Sequence, residues 1–285
     1  MGKNSKTAII SDIHSNLEAL DAVLDDIDNA GINNVISLGD QIGYGADPEA
    51  VIQRLIERKV ICTLGNHELA LIDDRYLKRF NKEAALTIDM HRNRLSSDSM
   101  KFISEMPRLI VSHGGRFLHG TPPDSITEYV SRISEKRLTR IMAFLKQSIA
   151  FTGHTHLMQW FELYNDKSQQ DDAFETKSTP ESAQSSQLSE KCRPGTESSS
   201  HGSVLKKGSF EPNDPSPLTL DPACRYLVNA GSIGQPRDHC WKAKYVIWDR
   251  DEGVILPRYI EYDNTTAAEK IEKTGLPARF ARQLM

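Results

Sequence analysis

The chain repeatedly ends a short, apolar, partly β-branched run on a side chain able to bind a metal. Thr7-Ala8-Ile9-Ile10-Ser11 leads into Asp12, Val35-Ile36-Ser37-Leu38-Gly39 into Asp40, and Val60-Ile61-Cys62-Thr63-Leu64-Gly65 into Asn66. Arg116-Phe117-Leu118 leads into His119, and Ile149-Ala150-Phe151-Thr152-Gly153 into His154. Runs of this length and composition read as buried strands. Each polar group then sits where a strand stops and a loop begins, which is where α/β sheets collect their ligands. Groups far apart in sequence would meet along one edge.

The segments between these runs alternate in period. Leu17, Leu20, Val23, Leu24 and Ile27 recur at helical spacing, with Asn16 as N-cap and Gly31 as terminator. Asp47-Pro48-Glu49 opens a second helix, with Asp47 as cap. Residues 75–106 read as a polar helical excursion, 108–119 as a hairpin turning at Gly114-Gly115, and 134–148 as another helix. Strands are expected near 225–228, 244–248 and 254–262, then a short helix from Thr265. Strand–helix alternation of this kind builds a parallel sheet layered with helices.

Residues 165–222 differ. They are rich in Ser, Gln, Glu, Lys and Pro, with isolated apolar residues. Such a stretch buries too little apolar surface to offset its ordering entropy. The expectation is a single domain over 1–285 with a disordered polar insertion at about 165–222, or else a regulatory or partner-binding segment there. The 38% hydrophobic content is low for a single domain, and this insertion explains part of it.

The net charge of −4 gives no basic groove for nonspecific nucleic-acid binding. No apolar run is long enough for a bilayer, no secretory apolar region precedes the first strand, and Lys6 breaks a myristoylation pattern. Cys62, Cys192, Cys224 and Cys240 show no zinc-ribbon or Cys-x-x-Cys spacing. A reduced, cytoplasmic setting without a membrane is expected.

The motifs carry the chemistry. Asp12-Ile13-His14, Gly39-Asp40, Gly65-Asn66-His67, His119-Gly120 and Gly153-His154-Thr155-His156 supply two carboxylates, an amide and five imidazoles. These donor types suit a pair of borderline divalent metals. An Asp-x-His or Gly-Asp alone is ordinary loop sequence. Gly-His-Thr-His, by contrast, arises by chance in about one chain of this length in a thousand or fewer, so its position at a strand end argues for a site. His113 competes with His119, but it falls at the hairpin tip, away from the other strand ends. His91, His201 and His239 read as surface or loop residues.

With these residues in place, the chain resembles the calcineurin-like metallophosphoesterases. It is most similar to their compact bacterial phosphodiesterase/phosphatase branch, through Ser11-Asp12-Ile13-His14-Ser15-Asn16 and Gly231-Ser232-Ile233-Gly234-Gln235-Pro236-Arg237. The resemblance implies an α/β fold of two packed mixed β-sheets flanked by helices, in four layers α-β-β-α. It implies that Asp12, His14 and His156 bind one metal, that Asn66, His119 and His154 bind the other, and that Asp40 bridges them. It further implies two divalent ions, manganese first, with iron, zinc, cobalt or nickel compatible. A metal-bridging hydroxide would attack a phosphomonoester or phosphodiester, with His67 as general acid.

The partner is expected to be a small phosphorylated substrate, with nucleotides and phosphoproteins both open, and Arg237 is a candidate grip on phosphate. A salt bridge to Asp238 is the plainer reading of Arg237. The rival function is a noncatalytic, protein-binding scaffold of the same fold. Two departures stand out. Gln41-Ile42-Gly43-Tyr44-Gly45 carries no second carboxylate to orient His67, and Ala230 stands where the branch has Pro, a change expected to affect only loop backbone.

Overall fold

The alternation of side chains along each central strand divides the molecule into layers. The computed structural model describes residues 5–164 and 204–285. In β1 (Lys6–Ile10), Ala8 and Ile10 face one core while Ile9 faces another. In β11 (Ala243–Asp249), Ala243, Tyr245 and Ile247 take the first side, and Val246 and Trp248 the second. Successive strand side chains point to opposite faces, so a strand buried on both faces is continuously apolar and feeds two cores.

Among the described residues, two six-stranded sheets result. The first runs β3 (Ile61–Cys62), β2 (Asn34–Ser37), β1, β11, β12 (Val254–Ile260), β9 (Leu218–Thr219). The second runs β4 (Leu109–Ser112), β5 (Gly115–Leu118), β6 (Ile149–Thr152), β10 (Cys224–Ala230), β7 (Met158–Tyr164), β8 (Leu205–Ser209). Both are mixed: β1–β2, β2–β3, β5–β6 and β6–β10 pair parallel, and the remaining pairs are antiparallel.

Ile9, Ile36, Leu38, Phe117, Phe151 and Trp248 fill the space between the sheets. Phe117 and Phe151 stack with ring centres 5.2 Å apart, and Trp248 lies 5.3 Å from Phe151. Outside the first sheet pack α1 (Leu17–Asn29), α2 (Pro48–Glu57), α3 (Asn66–Ile72) and α6 (Ser97–Ser104), joined by α8 (Asn264–Lys273) and α9 (Ala278–Arg282). Outside the second packs α7 (Glu135–Phe144), with Leu138 and Met142 against Ala150 and Leu227. The order is α-β-β-α, as the resemblance implied.

Asn16 caps α1 by accepting the Ala19 N–H at 3.1 Å. Asp47 precedes α2 without a side-chain capping bond and instead accepts the Lys270 ammonium at 2.9 Å, tying α2 to α8. The excursion after α3 resolves into α4 (Asp74–Leu77), α5 (Lys82–Arg92) and α6. The β4–β5 hairpin turns on His113 and Gly114, both at positive φ, with Ser112 opposite Gly115. Ala230 is the last residue of β10, buried and opposite Met158, so the departure there lies in a strand and not in the loop.

The expected insertion needs correction at its C-terminal end. Residues 165–203, with Cys192 and His201, lie outside the described residues. Residues 204–222, however, are built into the fold: β8 pairs with β7, β9 pairs with β12, and Phe210 is buried between the sheets. Lys206 and Lys207 make β8 look polar, but charged residues are what an edge strand carries on its open side. Among the described residues no helix is long and apolar enough to cross a membrane.

Candidate metal centre

The parallel strands of both sheets end on the same side, and there the predicted residues converge. Asp12, His14 and His156 form one buried cluster, and Asp40, His119 and His154 another. In the first, His156 Nε2 lies 3.2 Å from Asp12 Oδ1 and 3.2 Å from His14 Nε2. In the second, His119 Nε2 lies 3.3 Å from Asp40 Oδ2, 3.0 Å from His154 Nδ1 and 3.0 Å from Asn66 Oδ1. Asp40 Oδ2 is also 3.8 Å from His14 Nε2, so it faces both clusters. His113 sits at the hairpin tip and takes no part.

The second atom of most of these side chains is already held. His14 Nδ1 contacts the Ile42 carbonyl at 3.0 Å, and His119 Nδ1 the Leu38 carbonyl at 3.2 Å. A ring with Nδ1–H on a carbonyl presents a bare Nε2 lone pair to the site. Asp12 Oδ2 accepts from Ser11 Oγ at 2.7 Å and from the His154 N–H at 2.9 Å. Asp12 Oδ1 is buried and, with His156 Nε2 as a neighbour at 3.2 Å, makes no well-aligned hydrogen bond among the described residues. A buried carboxylate oxygen left open is costly unless something binds it. Buried Asp and His donors in two adjoining clusters, with Asp40 Oδ2 facing both, fit a dinuclear metal site.

The backbone is bent to make this arrangement. Asp12, His14, Asp40, His154 and His156 all have φ between 49° and 68°. That region is uncommon for residues with a Cβ, and such conformations gather at functional sites. Close packing of the loops contributes. Gly39 has φ 113°, and a Cβ there would stand 2.6 Å from the Gly65 nitrogen, so only glycine lets the Asp40 and Asn66 loops touch.

Charge follows burial and neighbours. For His119, burial lowers the pKa but the Asp40 carboxylate outweighs it, and the group is pushed up to about 9. For Asp12 and Asp40, burial is outweighed by the imidazoles of His156 and His119 respectively, and both carboxyls fall below their ordinary range. Burial pushes His154 down to about 3 and His67 to about 4. Burial thus favours the neutral form of these two rings, the form in which histidine binds a metal or donates one N–H.

His67 lines the same cleft, with Nε2 3.8 Å from Asp40 Oδ2. Its Nδ1 has no hydrogen-bond partner among the described residues. The ring is held by packing, edge-on to Tyr44 at 4.7 Å and to Phe80 at 4.9 Å. Gly43 lies directly beneath it, where a Cβ would run into Nδ1. Arg237 lines the cleft as well; Asp238 does not engage it, because Asp238 pairs with the buried Lys244 at 2.9 Å.

Two supporting residues were not read from the sequence. His91 is buried in α5 and corrects the expectation of a surface residue: Nδ1 accepts the Gly43 N–H at 3.2 Å, and Nε2 meets the Gly45 carbonyl at 3.0 Å. It therefore holds the turn that seats His67. The recurrence Ala84, Thr87, Ile88, His91 at helical spacing was the signal for its inward face. Glu68 is fully buried and accepts the N–H groups of Asp40, Ile42 and Gly65 at 2.9, 3.0 and 2.9 Å. Its three-residue offset from Gly65 matches an N-cap to N3 pair, the available clue.

A sequence profile described as calcineurin-like phosphoesterase matches residues 5–185 of this chain. The chain belongs to the calcineurin-like phosphoesterase family. It is 30% identical over 287 residues to the uncharacterized protein MJ0912 of Methanocaldococcus jannaschii, covering 98% of this chain and 97% of that protein. Its fold is similar to a metallophosphoesterase from Sphaerobacter thermophilus, with 25% identity, a TM-score of 0.71, and coverage of 98% of this chain and 97% of that one. The hypothetical protein PH1004 from Pyrococcus horikoshii shares the fold at 16% identity and a TM-score of 0.66, with coverage of 98% and 97%.

Proposed function

We propose that this chain hydrolyses phosphoester bonds at a pair of divalent metals. Asp12, His14 and His156 would hold one ion, Asn66, His119 and His154 the other, and Asp40 both, with manganese the first candidate. When bound, such a pair polarises phosphoryl oxygens and makes hydroxide available near neutral pH. The observation that carries this reading is Asp40 Oδ2 standing between two buried donor clusters while Asp12 Oδ1 is left open.

The chain's own residues supply the rest. The cleft opens through a cavity of about 430 Å³ whose lining includes His67, Asn66 and Arg237. Arg237 binds a nonbridging phosphoryl oxygen through its planar fork. His67 places a ring N–H against the leaving oxygen and acts there as general acid. The negative charge of a phosphoester arriving beside it raises the affinity of that ring for a proton, against the burial and the metal charge that lower it. His91 and Glu68 hold the two loops on which His67 and Asp40 depend.

A noncatalytic scaffold is the competing function, and the retention of every donor position weighs against it. Turnover of an aryl phosphomonoester and an aryl phosphodiester, measured with added manganese and after exhaustive chelation, tests the reading together with metal content by atomic absorption. Turnover that survives chelation undiminished overturns the dimetal reading. Metal binding without turnover on either substrate favours the scaffold.

A further inference from the structure

The cavity over the metal centre carries more positive charge than one phosphoryl group requires. Arg79, Arg132 and Arg237 line it, and among the described residues Asp40, at its floor, is the only carboxylate that does so. Other arginines of this protein sit beside acids: Arg54 by Asp21, Arg92 by Asp74, Arg137 by Glu128, Arg258 by Asp26. Among the described residues, none of the three at the cavity has a carboxylate within ion-pair distance. Three exposed guanidinium groups left without acids around one opening make a local field for a polyanion in a chain of net charge −4.

These arginines are also placed. The Arg79 guanidinium lies over the Tyr76 ring at 5.0 Å, and that of Arg132 over the Tyr129 ring at 4.6 Å. A planar cation laid on a ring loses part of its freedom before any ligand arrives. Each segment is tied to a different histidine of the floor. Phe80, next to Arg79, meets the edge of His67 at 4.9 Å. Tyr129 stacks on His154 at 3.7 Å. The Gln235 carbonyl, two residues before Arg237, meets His156 Nδ1 at 2.5 Å. The cations therefore stand on three separate segments around the rim.

From this arrangement we infer that the substrate carries at least two linked phosphoryl groups, an organic diphosphate or longer polyphosphate, with Arg79 and Arg132 gripping the phosphoryl group that does not react. This rests on the hydrolytic reading only for which phosphoryl group reacts; the second anion subsite stands on the rim alone. A single phosphoryl group at the floor would leave the cations of two separate segments with nothing to bind. A diphosphate offers further oxygens along its length, each able to accept charge-assisted hydrogen bonds. The cavity, at about 430 Å³, is in the range that encloses a small organic ligand and not merely one ion.

The test compares probes whose P–C bonds cannot be hydrolysed; α,β-methylene-ADP keeps one 5′-O–P ester, and its recovery intact after the titration is checked by chromatography. Full-length, manganese-loaded protein is titrated with methylphosphonate, methylenediphosphonate and α,β-methylene-ADP, followed by calorimetry. The parent should bind the diphosphonate at least about tenfold tighter than the monophosphonate. Arg79→Ala and Arg132→Ala should each cut that ratio by about fivefold, and Arg132→Lys should restore only part of it. Chelation of manganese in solution is common to parent and variants, so the change in ratio reports the protein. α,β-Methylene-ADP binding tighter than methylenediphosphonate adds an organic group to the ligand; equal binding assigns the preference to phosphate alone, and either supports the second subsite. Equal affinity for the one- and two-phosphorus probes in the parent, or a ratio unmoved by both alanine variants, overturns the inference. Aryl phosphoester turnover measured on the same samples separates the two ideas: turnover without the ratio removes the second subsite alone, and the ratio without turnover removes the hydrolytic reading alone.

Discussion

Glu68 Oε2 accepts the backbone N–H of Asp40 at 2.9 Å. The same oxygen accepts from Gly65, which precedes Asn66, and Oε1 accepts from Ile42. One buried carboxylate thus ties the loop of the proposed bridging ligand to the helix start that carries Asn66 and His67. Burial and the nearby Asp40 charge push Glu68 up to about 7, against the pull of those N–H groups. Glu68→Gln keeps the shape but supplies one acceptor oxygen for three donors. The expected loss is about 1–3 kcal/mol of stability from an orphaned buried donor, with weaker metal retention. Denaturant unfolding and metal content measure both. Unchanged values would show that the loops are held by packing alone.

Asp40→Ala should reduce turnover by roughly three orders of magnitude or more, because it removes the group shared by both donor clusters. Metal content per chain should fall with it. Full metal occupancy in the variant would mean that Asp40 does not bridge.

His67→Ala should keep its metal, since His67 lies outside the proposed ligand set, yet lose turnover. The loss should be about tenfold or more for an alkyl phosphoester and smaller for a nitrophenyl one, whose leaving group needs little help from a proton. Equal losses on the two substrates would remove the general-acid role.

Acid should weaken the joint between α1 and the first sheet. Asp26 accepts from Arg258 at 3.0 and 2.6 Å and from the Tyr245 hydroxyl at 2.5 Å. Burial raises its pKa, but the Arg258 and Tyr245 hydrogen bonds outweigh that, and the folded value lies below the ordinary one. A depressed carboxyl stabilises the fold above its unfolded pKa of about 3.9 and ceases to do so as pH falls through the folded value. Melting curves of the parent and Asp26→Asn should therefore differ at pH 6 and converge toward pH 3. A constant difference across that range would assign the effect to shape and not to charge.

Five of the seven candidate donor positions, Asp12, Asp40, Asn66, His119 and His154, were legible in the sequence because each closes an apolar run, and a run that must be buried fixes where its end emerges. His119 could be chosen over His113 on that ground: the two fall at opposite ends of β5, and only one end meets Asp12. His91 was misread because its helix is polar overall, and four inward positions out of eleven were outweighed by the charged ones. Glu68 offered a carboxylate beside a candidate ligand, with nothing in its own segment to reveal that its partners come from Asp40 and Ile42. The strands β8 and β9 were lost for a related reason. An edge strand buries one face at most, so Leu205-Lys206-Lys207-Gly208-Ser209 shows almost none of the pattern that marks a central strand.

The same edge strands set where the chain can be shortened. Leu163 of β7 faces Leu205 of β8 in antiparallel register, and the Tyr164 N–H reaches the Val204 carbonyl at 3.3 Å. The two ends that flank residues 165–203 are therefore as close as the ends of a hairpin loop. No proposed ligand falls between them in the sequence. Replacing 165–203 by Asn-Gly, which suits a two-residue hairpin turn, should leave the melting temperature within about 3 °C and manganese-dependent turnover near that of the parent. Extending the deletion through 219 should behave differently. It removes the β7–β8 pairing, the Lys206–Glu162 ion pair at 2.9 Å, the β9 strand on β12, and Phe210 from the space between the sheets. Loss of one buried phenylalanine alone costs about 3–5 kcal/mol, and removing the pairing of β8 opens the edge of β7 to other chains. The longer deletion should melt well below the parent and aggregate on heating, with light scattering as the readout. Equal melting temperatures for the two deletions would mean that β8 and β9 add nothing to the fold, and a large fall in the shorter one would mean that residues 165–203 pack on the domain.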